Sequence, residues 1–137
     1  MTAADSSQKA IVVVAAVIEA DNRFLVTRRQ QGVHLAGLWE FPGGKIDSAE
    51  THAAGLRREL LEELETDAEI GELVFQTTHD YTDLTVTLYF YRCRLTGKPR
   101  PLLGQEMRWV PRTELKSMGF PPADEELIRL LTESAAQ

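Results

Sequence analysis

Cysteine is nearly absent: Cys93 is the only one in 137 residues, so no internal disulfide can staple the chain. Lying in the apolar-rich run from Leu88 to Leu95, it reads as a packed or half-exposed thiol, not a nucleophile. Positive charge is also short. Fifteen Lys and Arg stand against 21 Asp and Glu, for a formal net charge of −6, which disfavours DNA, RNA or an anionic membrane as a bulk electrostatic partner. A phosphate substrate is not excluded, because a metal ion inverts the local field around carboxylates. No apolar run reaches the 18 residues that a membrane helix needs. Repeats, low-complexity tracts and internal linkers are missing, and His34, His52 and His79 are scattered without ligand spacing, as ordinary surface or turn histidines are. Residues 1–9 are small and polar, without the basic and apolar regions of a secretory signal. They are expected to form a disordered leader, followed by a single domain over 10–134 and a cytoplasmic location.

What is present concentrates between Gly43 and Glu65. A glycine turn at Gly43-Gly44 is expected to lead into a helix starting near Thr51, a residue suited to the N-cap. Glu59, Glu62 and Glu63 fall at i, i+3 and i+4 and project from one face, while Ala53, Leu56, Leu60 and Leu64 mark a neighbouring face for burial. Like charges at this spacing repel by roughly 0.2–0.5 kcal/mol per pair. A hard divalent cation with oxygen ligands would relieve them. The plainer alternative is a solvated helix with weak ion pairs across Arg57 to Glu63. Gly55 costs the helix about 1 kcal/mol relative to Ala and fits close packing against a loop or strand.

Around this stretch, Ala10–Glu19 reads as a buried β-branched strand, Asp21-Asn22 as a turn and Arg23–Arg29 as the returning strand. Asp67–Leu73 is expected to be a loop and strand entry, followed by a hairpin of Val74–Tyr81 and Leu84–Leu95. The Gly- and Pro-bearing loop Thr96–Gln105 is expected to be mobile. Then come a short strand at Glu106–Val110, a helical turn at Pro111–Lys116 and a final helix from Glu125 to about Thr132. Strands on both sides of one long helix, with a second helix at the end, give an α+β class, an α-β-α sandwich on a mixed sheet.

Spacing carries the argument further. Gly44 is followed after five residues by Glu50, and after seven more by Arg58-Glu59-Leu60, any residue, and Glu62-Glu63. This resembles the Nudix box, with Glu65 and Thr66 departing from its closing glycine and aliphatic residue. A side chain in the left-handed cap position costs roughly 1 kcal/mol, so the helix is expected to end differently or run on. Beyond the box, Thr27-Arg28-Arg29, Leu38–Lys45, Val86–Phe90 and Phe120–Asp124 look like the matching stretches of MutT-type nucleoside triphosphate pyrophosphohydrolases.

The resemblance implies the Nudix fold and Mg2+-dependent cleavage of nucleoside triphosphates to monophosphate and pyrophosphate, with Mn2+ as a substitute. The implied diet is oxidised nucleotides such as 8-oxo-dGTP, or CTP, dCTP and 5-methyl-dCTP as in the CTP pyrophosphohydrolase branch. A rival of another class is a nucleotide- or 8-oxoguanine-binding module without turnover. By position, the resemblance makes Glu59 and Glu63 metal ligands, Glu62 a ligand or base and the Gly43 carbonyl a backbone ligand. Arg58 orients Glu59, Glu50 and Gly44 support the loop, and Lys45 meets phosphate. A glutamate found outside the box in relatives aligns with Leu103, leaving Glu106 as the nearest carboxylate. Arg29 reads either as a phosphate or base contact or as a charged strand end. Phe41 stacks on the base or packs in the core. Asp124 stands where MutT-type enzymes carry a base-reading Asn, and it also suits the N-cap of the last helix. Neither a nucleic acid nor a membrane partner is implied, and the chain is expected to be a monomer or homodimer.

Overall fold

The β-branched run Ile11 to Val14 enters β1 (Lys9–Ala20), the strand that joins both halves of a seven-stranded sheet. A computed structural model describes residues 9–30 and 37–134. Residues 1–8 of the expected leader, and His34, lie outside them. At Asp21 and Asn22, φ values of 54° and 63° form the two-residue turn that these side chains tolerate. β2 (Arg23–Arg28) then returns antiparallel with Arg23 opposite Ala20. β3 (Trp39–Glu40) and β7 (Met107–Pro111) both pair antiparallel with β2. On its other side β1 runs parallel to β6 (Leu84–Leu95), which pairs antiparallel with β5 (Ala68–Tyr81). The sheet is therefore mixed, as expected.

Alternation along β1 sends side chains to two cores. Val14, Ala16 and Ile18 pack with Leu56, Leu60 and Leu64 of α1 (His52–Leu64). Ala15 and Val17 pack on the opposite side with Leu127, Ile128 and Leu131 of α2 (Glu125–Ser134). Helix, sheet and helix form the three layers. Among the described residues no helix is long and apolar enough to cross a membrane.

Several local expectations change. Gly43-Gly44 is a strand, not a turn: β4 (Gly43–Lys45) pairs antiparallel with β1, Gly43 opposite Ala15 and Gly44 opposite Val14. A Cβ at Gly43 would lie 2.0 Å from the Val14 carbonyl oxygen, so glycine is what permits the pairing. Ala53 is exposed, and Gly55 takes its place on the buried face of α1, against Ile46. β5 begins at Ala68, with register shifts between Ile70 and Leu73 and between Leu73 and Phe75. Those bulges break the period-2 pattern that the sequence reading relied on. The helix does not run on. Glu65 adopts φ 58° and ψ 33° and donates its N–H to the Leu61 carbonyl at 3.1 Å. Loop 96–105, expected to be mobile, is tied down by Thr96 N–H to Asp67 O at 3.0 Å, Arg100 N–H to Leu64 O at 2.8 Å and Leu102 N–H to Glu63 O at 3.0 Å. His52 bridges α1 to β6, its Nδ1 2.6 Å from the Tyr91 hydroxyl and its ring packed on Tyr89.

Candidate active site

Thr51 caps α1 by accepting the Ala54 N–H on its hydroxyl at 3.1 Å. Two turns further along, the guanidinium of Arg58 grips Glu50 with both arms: Nε donates to Oε2 at 2.6 Å and Nη2 to Oε1 at 2.9 Å. Such a bidentate pair fixes direction as well as distance. Glu50 also accepts the Asp47 N–H at 2.9 Å, and these bonds, the Arg58 one foremost, bring its carboxyl down to about 2. The third arm of Arg58, Nη1, donates to Glu59 Oε2 at 3.1 Å and Glu62 Oε1 at 3.3 Å, while Nη2 also reaches the Lys45 carbonyl at 3.2 Å. Loop, β4 and helix are thus keyed together by one side chain. The contact of Arg58 with Glu59 that the resemblance implies is present at 3.1 Å.

Glu59 lies against Gly44 so closely that a Cβ there would sit 2.4 Å from Glu59 Oε1. Glu63 stands one turn later, its carboxyl within electrostatic reach of Glu59 and Glu40. Burial, then the charges of Glu40 and Glu59, hold the Glu63 carboxyl well above its ordinary range. Glu40 is raised as well, by burial, even though Arg29 Nη1 donates to its Oε1 at 2.7 Å. A cavity of about 170 Å³ opens between Arg29, Glu40, Glu63, Leu103 and Gln105.

No three His, Cys, Asp or Glu side chains among the described residues converge into a ready metal cage. Glu62 turns to Arg58 and is largely exposed. The donors nonetheless suit a hard cation. The Glu63 carboxyl is raised first by burial and then by the charges of Glu40 and Glu59, a strain that a bound cation would relieve by favouring the ionised form.

The remaining expected residues divide. Phe41 is 5% exposed, with Phe120 stacked on it at 5.3 Å and Phe90 edge-on at 6.0 Å, so it is a core aromatic and the expected base contact does not stand. Lys45 is exposed on β4, outside the cavity lining. Glu106, the carboxylate nearest Leu103 in the sequence, is not among the residues that line the cavity. It is bound by Arg28 and Arg108, each at 3.2 Å, and both guanidiniums lie over the Trp39 ring. Asp124 is 5% exposed in the turn Pro122–Asp124, ahead of α2, and burial together with the charge of Glu40 raises it to about 7. Two residues escaped the sequence reading. Glu40 sat inside the stretch Leu38–Lys45 already singled out, and a carboxylate between an apolar pair was the available signal. Gln105, buried beside Glu63, left none.

A two-layered helix support around a mixed sheet, with the Arg58 clamp and the Glu59–Glu63 pair on α1, defines a class, and a NUDIX domain model matches residues 13–130. The chain belongs to the Nudix family and is a hydrolase of phosphoric anhydrides. It is 37% identical over 130 residues to the 8-oxo-dGTP diphosphatase of Haemophilus influenzae, covering 93% of this chain and 96% of that one. To the CTP pyrophosphohydrolase of Escherichia coli it is 34% identical over 121 residues, covering 88% and 90%. The solution structure of the E. coli ORF135 protein superimposes with a TM-score of 0.80 at 34% identity, over 96% of this chain and 92% of the other.

Proposed function

We propose that the chain is a cytoplasmic nucleoside triphosphate pyrophosphohydrolase, cleaving its substrate to monophosphate and pyrophosphate and acting on oxidised nucleotides such as 8-oxo-dGTP. The observation that carries this is the half-buried, under-compensated carboxyl group of Glu59, Glu63 and Glu40, keyed to loop and strand by Arg58. Glu59 and Glu63 would hold Mg2+, or Mn2+ in its place. When bound, the cation supplies charge neutralisation on the polyphosphate and Lewis acidity at the reacting phosphorus. Arg58 keeps Glu59 aimed, and Glu50 keeps Arg58 aimed. Glu62, exposed and within reach of the same guanidinium, is the carboxylate with open access to water and serves as general base. Arg29, lining the cavity with Glu40, and Lys45 on β4 meet phosphate oxygens.

Asp124 reads the base, with Phe120, half-exposed over Phe41, supplying the ring face that Phe41 does not. A carboxyl at about 7 keeps a donor as well as acceptors near neutrality, so it can donate to O6 and accept from the N7 proton of 8-oxoguanine. Once ionised it only accepts, which favours an exocyclic amine such as cytosine N4. That second state is the basis for the other reading, a CTP and dCTP pyrophosphohydrolase.

Comparing kcat/KM in Mg2+ for 8-oxo-dGTP, dGTP, CTP, dCTP and 5-methyl-dCTP separates the two. Pyrophosphate release is expected to vanish in Glu63→Gln. Asp124→Asn is expected to move preference toward the oxidised purine, and unchanged ratios would remove Asp124 from base reading. Nucleotide binding without turnover would make the chain a binding module instead.

A further inference from the structure

The last turn of α1 carries Glu63 and ends on Glu65 in the left-handed conformation, so the carbonyls of that turn need donors from outside the helix. The segment 100–105 supplies them. Arg100 N–H donates to the Leu64 carbonyl at 2.8 Å, and Leu102 N–H to the Glu63 carbonyl at 3.0 Å. A second donor reaches the same Glu63 oxygen: the side-chain Nε2 of Gln105, at 3.2 Å. Gln105 is itself only 8% exposed, and its Oε1 accepts the Leu103 N–H at 2.9 Å. Leu103 is held from the far side by Gln30, whose Nε2 donates to its carbonyl at 2.6 Å. One buried amide thus spans from the strap to the backbone of Glu63, on the wall of the cavity that Glu63 and Glu40 share.

We propose that Gln105 is a positioning residue: by pinning the Glu63 carbonyl it fixes where the Glu63 carboxylate stands for a divalent cation. This rests on Glu63 as a cation ligand. The Gln105 amide bonds to the Glu63 backbone carbonyl, so its influence on the cation passes through Glu63. Outer partners of this kind govern ligand direction, and their loss costs metal affinity about 10–100-fold.

The test is direct Mn2+ binding, read from the electron paramagnetic resonance signal of free Mn2+, on the full chain and three variants. Gln105→Leu removes both hydrogen bonds. Gln105→Glu keeps the size and the acceptor for Leu103 N–H but cannot donate to Glu63. Arg100→Ala removes only the exposed ion pair to Glu65 and keeps its backbone bond to Leu64. Both Gln105 variants are expected to bind Mn2+ about tenfold or more weakly, with kcat reduced and KM at saturating metal within about twofold of the parent. Arg100→Ala is expected to match the parent. Where Gln105→Leu fails to fold, Gln105→Glu carries the comparison alone. Parent-like Mn2+ affinity in Gln105→Glu overturns the positioning role and leaves the site standing. A parent chain that leaves Mn2+ free overturns both.

Discussion

Asp124 is a carboxyl that the fold would rather keep neutral. Burial and the neighbouring Glu40 lift it from an ordinary 3.8 to about 7, so the folded chain binds the proton more tightly than the unfolded one. That contribution to stability is complete below about pH 4 and is lost as pH climbs through 7. Asp124→Asn, which cannot ionise, is therefore expected to gain on the parent chain between pH 5 and pH 8, by at most about 4 kcal/mol. Thermal unfolding of both proteins at several pH values checks this, and a constant difference in Tm rejects it. Gly44 offers the opposite dissociation. A Cβ there meets the end of a flexible side chain, Glu59, not backbone, so Gly44→Ala is expected to leave Tm nearly unchanged. It displaces Glu59, the carboxylate proposed to hold the cation, and kcat/KM is expected to fall about 10–100-fold. Steady-state kinetics beside a thermal melt would separate the two effects.

The two ends of α1 differ in how well they are made. Thr51 caps the start with its hydroxyl, and Thr51→Ala is expected to cost about 1 kcal/mol in chemical denaturation. Glu65 closes the other end at φ 58°, a conformation that a side chain adopts only under strain. Glu65→Gly is expected to stabilise by about 0.5–1 kcal/mol, a gain that denaturation midpoints would register. Much of this element was legible beforehand. The cap at Thr51 and the buried stripe of Leu56, Leu60 and Leu64 follow from spacing within one helix, while the contact of Arg58 with Glu59 comes from the family resemblance. What spacing could not deliver were pairings between distant segments. Gly43-Gly44 looks like a turn until β1 is laid beside it, and Gly71, in the bulged part of β5, hides the start of that strand. Gln105 and Glu40 reach the site only because loop 96–105 and β3 are folded onto the end of α1 and onto β2. Phe41 shows the reverse failure, since a motif position suggested contact with a base where a stacked neighbour already stood.

At the scale of the whole molecule, the sheet is built around a strand that both halves need. β1 gives one face to α1 and the other to α2, and it pairs in parallel with β6 from Lys9–Leu84 to Ile18–Cys93. Cation binding to the native state alone stabilises the whole assembly by mass action. Adding Mg2+ is accordingly expected to raise Tm in the parent chain and not in Glu63→Gln, measured by differential scanning fluorimetry at matched ionic strength. The parallel pairing also bears on synthesis. Partners so far apart along the polypeptide close slowly, and a nascent chain halted before Leu95 lacks part of the central ladder. A ribosome must release well over half of the product before its earliest strand, paired until then only with β2 and β4, gains its parallel partner, which makes the newborn N-terminal segment a natural client for chaperones.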